Sequence, residues 1–123
     1  LYLLTINCMH LELDSKQPII DLDFFESRRQ VGEDFLDKLI EVFEEEALKL
    51  IRKIKETAEC NDPKHLAELG HKLKGMSLNV GAVLLSNLGR QIELRSNDLE
   101  SASLKSLDIA YEQTMSEMKK LVG

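Results

Sequence analysis

The chain is 123 residues long, enough for one domain around a single hydrophobic core. Its formal charge of −6, from 16 Lys and Arg against 22 Asp and Glu, argues against nucleic-acid or anionic-membrane binding, since both reward a basic surface. Two prolines, six glycines and abundant Leu, Lys and Glu favour an all-helical protein. The charge is uneven. Residues 1–62 carry 8 basic against 15 acidic side chains, whereas residues 63–123 carry 8 against 7.

The first twenty residues read as a lead-in with no assignable role. Leu1-Tyr2-Leu3-Leu4-Thr5-Ile6-Asn7-Cys8-Met9 is apolar but too short to span a bilayer, and it lacks the basic start of a signal peptide. Met9 to Leu13 alternates like a strand, yet no partner strand is evident, so local packing is the expectation. The chain begins at Leu1 and not at methionine, so a piece of a longer protein is one expectation. Cys8 and Cys60 make no disulfide framework, so reduced thiols and a cytoplasmic location are expected.

From Pro18 the pattern is helical. Asp21 or Asp23 can cap a short helix ending near Gln30, anchored by Leu22, Phe24 and Phe25. Gly32 interrupts it. A long helix then runs from about Glu33 to Glu59, with Phe35, Leu39, Phe43, Ala47, Leu50, Ile54 and Ala58 as its core stripe. Leu36, Ile40 and Ile51 widen that stripe, so this helix should touch more than one neighbour, and Glu44-Glu45-Glu46 reads as a solvated face. Asn61-Asp62-Pro63 is a stop and restart, with Asp62 as N-cap and Pro63 at the first helical position. The next helix reaches about Asn79, burying Leu66, Leu69, Leu73, Met76 and Val80.

Gly81 suits the left-handed residue that ends it. An antiparallel return follows from about Ala82 to Ser96, with Leu85, Leu88, Ile92 and Arg95 inward and Gly89 permitting close approach of a neighbouring helix. Ser96-Asn97-Asp98 breaks the chain before a last helix, about Leu99 to Leu121, buries Leu104, Leu107, Tyr111, Met115, Met118 and Leu121. The expected fold is all-α: an antiparallel up-down-up-down four-helix bundle over residues 21–123, with a short additional N-terminal helix.

His71 lies off the apolar stripe and shares the outer face with Ala67, Lys74, Gly75 and Leu78. Gly70 and Gly75 each cost about 1 kcal/mol relative to alanine inside a helix, which packing alone does not justify. Gly75 removes a side chain one turn beyond the imidazole and leaves a shallow clearing. Neutral imidazole is a nucleophile near pH 7, and Lys74 on the next turn can offset anionic charge. Lys72, on another azimuth, adds to the local field. The plain alternative is a solvated surface histidine. The paired glycines, the following lysine and Gly81-Ala82 weigh against it. His65 and His71 are six apart on different faces, so no metal site is expected.

His71-Lys72-Leu73-Lys74-Gly75-Met76-Ser77, then Val80-Gly81-Ala82, Leu85 and Ile92-Glu93, resembles the histidine-containing phosphotransfer (HPt) domain family. The family pattern is roughly His-x-Leu-Lys-Gly-Ser-Ser-x-x-x-Gly-Ala, closing on Leu-Glu in the following helix. Met76 stands where serine is usual, Gly70 where alanine is common, and Ile92 where leucine is. The first twenty residues lie outside the resemblance.

The resemblance implies a phosphorelay intermediate that accepts a phosphoryl group on His71 and exchanges it with receiver-domain aspartates. It further implies charge stabilisation by Lys74, orientation of the imidazole by Glu93, and docking around His71 by Ala67, Gly70, Lys72, Gly75 and Leu78. Expected partners are response-regulator receiver domains and a hybrid histidine kinase. The chain is expected to be monomeric, with no cofactor of its own, Mg2+ being the receiver's requirement. No glycine-rich ATP-binding region is present, so no autonomous kinase activity is expected. Two other classes compete. A histidine-kinase dimerisation domain usually has an acidic residue directly after the histidine, where Lys72 stands here; a non-catalytic helical adaptor would use the same face to hold a partner.

Overall fold

The computed structural model describes Leu11, Leu13 and residues 17–99 and 104–122; the expectations for the rest of the lead-in and for 100–103 lie outside the described residues. Five helices and no strand occur among them: α1 (Leu22–Arg29), α2 (Glu33–Glu59), α3 (Pro63–Leu78), α4 (Val83–Arg95) and α5 (Lys105–Val122). None is long and apolar enough to cross a membrane.

Local chemistry sets most of the boundaries. Asp21 caps α1 by accepting from the Phe24 N–H at 3.1 Å, and Asp62 caps α3 by accepting from the His65 N–H at 3.2 Å. Pro63 occupies the start of α3, where its missing N–H costs nothing. Asn61 takes a left-handed φ of 54° to turn the chain between α2 and α3. Gly81, at φ 72°, makes the reversal between α3 and α4, and its backbone also lies against Phe24, whose Cδ1 would sit 2.9 Å from a Cβ placed there.

The four long helices pack in a closed cycle, α2 on α3, α3 on α4, α4 on α5 and α5 on α2, and α1 packs on α2. One core results. It holds Leu36, Ile40, Phe43, Ala47, Leu50 and Ile54 of α2, Leu66, Leu69 and Leu73 of α3, Leu85, Leu88 and Ile92 of α4, and Leu107, Met115 and Met118 of α5. Burial of each large side chain contributes roughly 1.5–3 kcal/mol.

Several details differ from the sequence reading, and Met76 and Leu121, expected in the core, are only half-buried. At its N-terminal end α2 is rotated: Phe35 is 43 % exposed and Leu36 takes the core position, while near its C-terminal end Thr57 is more buried than Ala58. Leu22 is exposed, leaving Phe25 as the buried anchor of α1. The last helix starts at Lys105, well after Leu99, although Leu99 and Leu104 are both buried. The lead-in reaches the core as well, through Leu11 and Ile20, and the Ile19 carbonyl accepts from the Leu84 N–H at the start of α4.

Candidate functional site

The α3 stripe Leu66, Leu69 and Leu73 is buried, which turns the opposite face of the helix outward and His71 with it. The His71 side chain is 66 % exposed. Its Nδ1 lies 2.8 Å from Oε2 of Glu93, on α4. The other carboxylate oxygen of Glu93, Oε1, accepts from Lys74 Nζ at 3.3 Å. One carboxylate therefore ties together the imidazole and the lysine one turn beyond it. Lys74 and Glu93 are about 30 % exposed, so these contacts are less screened than open-surface pairs.

The arrangement defines the histidine's chemistry. A carboxylate only accepts, so in the neutral ring the proton resides on Nδ1 and the lone pair on Nε2. Nε2 is thereby left without the proton and free of the Glu93 contact. Partial desolvation pushes the Glu93 carboxyl up, but the hydrogen bond and charge of Lys74, with the charge and hydrogen bond of His71, outweigh it. The net result is a pKa below the ordinary glutamate value, so Glu93 is an anion at neutral pH.

The surroundings are shallow. A depression of about 350 Å³ is lined by Ala67, Glu68, His71 and Glu93. A Cβ on Gly75 would meet nothing within 4 Å, so the clearing beside the ring exists. Leu78 is exposed at 56 %, on the last turn of α3. Lys72 is exposed but looks towards α2, lining a separate 110 Å³ depression with Lys49, Lys53, Leu69 and Met76.

The expectation that Gly70 belongs to the outer docking face is corrected. Gly70 is buried against α4, where a Cβ would lie 2.8 Å from the Glu93 backbone nitrogen. Two features escaped the sequence reading. Glu68 joins the depression, a placement its position three residues before His71 allows. An apolar groove of about 200 Å³ between α2 and α3, lined by Leu39, Val42, Phe43, Met76 and Val80, lies beyond Lys72.

A family model described as the Hpt domain matches residues 38–118, more than half of the chain and the segment that contains His71, Lys74 and Glu93. No curated protein and no solved structure matches.

Proposed function

Because the chain belongs to the Hpt domain family, we propose that it is a phosphorelay intermediate, taking a phosphoryl group onto His71 from one receiver-domain aspartate and passing it to another. The observation that carries this reading is the pose of His71: an exposed ring whose Nδ1–H is engaged by Glu93 at 2.8 Å, leaving the Nε2 lone pair for attack. Family membership implies receiver and kinase partners in general.

The proposed step balances simply. The Nε2 lone pair forms the N–P bond while the P–O bond to the donor aspartate breaks, its electron pair returning to that carboxylate. The ring, still carrying the Nδ1 proton, becomes cationic, and the adjacent Glu93 carboxylate stabilises that charge. Lys74, already within reach of the cluster, turns to a phosphoryl oxygen as negative charge spreads over the group. Transfer onward reverses these steps on a second receiver. Docking uses Ala67, Gly75 and Leu78 around the ring, with Lys72 at the margin towards α2. In this reading residues 21–123 form the phosphotransfer unit and 1–20 are a lead-in, of which Leu11 and Ile20 are buried. The antiparallel up-down-up-down order of the four long helices belongs to the same reading, supported by their closed cycle of contacts and the short turns between α2 and α3 and between α3 and α4.

The test is phosphoryl transfer. Incubated with a phosphorylated receiver and Mg2+, the protein should gain an acid-labile, base-stable label, and His71→Gln should gain none. Label persisting on His71→Gln would overturn the assignment.

A further inference from the structure

We infer that Gly70 and Gly89 form a backbone-to-backbone contact that positions Glu93 and Lys74 against His71, so that both glycines are positioning residues of the site. The inference rests on the phosphotransfer reading for its meaning, though not for its geometry. A Cβ built on Gly70 would lie 2.8 Å from the Glu93 nitrogen, 2.8 Å from the Gly89 carbonyl oxygen and 2.8 Å from Ile92 Cγ2. A Cβ on Gly89 would lie 2.6 Å from the Lys74 nitrogen, 3.1 Å from its Cα and 2.8 Å from the Gly70 carbonyl oxygen.

Each glycine thus abuts the backbone of a residue whose side chain serves the ring, across the α3–α4 junction. The obstacles are mostly backbone atoms, which cannot swing aside as the tip of a long side chain does. Alanine is common in the family where Gly70 stands, but at the helix spacing of this chain a methyl group at either position must separate the two helices at this point. The contacts at stake have little tolerance: 2.8 Å from Nδ1 to Glu93 and 3.3 Å from Lys74 to Glu93, the second already near the outer limit of a hydrogen bond. Gly70 immediately precedes His71, and Gly89 is one turn before Glu93, so a shift at the junction reaches the cluster directly. Gly75 is the contrast, since the space over it is open and a Cβ there presses on nothing.

The experiment compares Gly89→Ala, Gly70→Ala, Glu93→Ala and the double variant Gly89→Ala/Glu93→Ala. Three quantities are read: the urea midpoint, the ¹⁵N shifts of the neutral His71 ring, which report whether the proton sits on Nδ1, and the rate of labelling by phosphoramidate. Both glycine variants are expected to fold, to lose the Nδ1–H preference as Glu93→Ala does, and to label about tenfold more slowly or worse. In the Glu93→Ala background, Gly89→Ala should change the rate by less than about twofold, because it acts through the contact already removed. Folded glycine variants with the wild-type ring tautomer would overturn the inference. So would an equal slowing by Gly89→Ala with and without Glu93, or failure of both variants to fold, which would make the pair a requirement of the bundle and not of the site. If the wild-type chain takes no label from any donor, the phosphotransfer reading falls, while the ring tautomers still decide the positioning claim.

Discussion

At Glu93 two opposing effects meet. Partial desolvation raises its pKa, the Lys74 and His71 contacts lower it, and the contacts prevail. A carboxyl depressed in the folded state stabilises the fold above its unfolded pKa, about 4.3, and that contribution disappears as pH falls through the folded value. The urea midpoints of wild type and Glu93→Gln should therefore differ at neutral pH and converge only as the pH falls beneath the unfolded value and through the lower folded one. A gap that does not narrow on acidification would mean the carboxylate is not engaged. Lys74 and Leu73 are adjacent in sequence and opposite in role. Leu73 is fully buried, so Leu73→Ala should cost about 2–5 kcal/mol. Lys74→Ala removes a partly exposed pair, costing at most about 1 kcal/mol, and should slow phosphoryl transfer or shorten the life of the phosphorylated form. Similar losses of stability in the two variants would contradict the assignment of these faces.

The helix α3 carries glycines for two different reasons. Gly70 is occluded by α4, whereas nothing stands over Gly75. Gly75→Ala should therefore raise stability by up to about 1 kcal/mol, the helix-propensity difference with no steric charge against it. Gly75→Leu should keep the bundle folded and still label from phosphoramidate, yet take phosphoryl poorly from a receiver domain, which must approach closely around the ring. Measuring both rates on one variant checks this. A parallel fall would show Gly75 shaping the histidine itself, and no fall would place docking elsewhere.

Across the whole bundle, the α2–α5 junction is held by polar contacts as well as by core. Lys119 Nζ pairs with Glu44 Oε2 at 2.7 Å, Lys55 pairs with Asp108, and the Tyr111 hydroxyl donates to the Glu44 carbonyl at 2.9 Å. Burial first, then Glu44 and Glu112, pushes the Tyr111 phenol above its ordinary pKa, so the hydroxyl stays protonated and donates throughout the neutral range. Tyr111→Phe should cost about 1 kcal/mol by thermal or urea unfolding. Its labelling on His71 should match wild type, because this junction lies away from the α3–α4 pair that carries the site. A loss of labelling with the fold intact would show that the two junctions are coupled.

The helical class, the turns at Asn61-Asp62-Pro63 and Gly81, and the exposure of His71 were legible in the chain itself, because caps, breakers and a 3.6-residue stripe are local features. So was the use of Gly89 for close approach. The long-range facts were not. Phe35 and Leu36 both fit an apolar stripe, and only the neighbouring helices decide that Leu36 is buried and Phe35 exposed. Gly70 sits one residue from His71 in sequence, yet packing turns it against α4 and away from the exposed face of α3. Lys74 reads as a free cation until α4 brings Glu93 within 3.3 Å of it. Sequence periodicity states which residues share a face of one helix. Which carboxylate meets which ring nitrogen depends on the distance and rotation between two helices, and those are decided by the glycine contact where α3 and α4 touch.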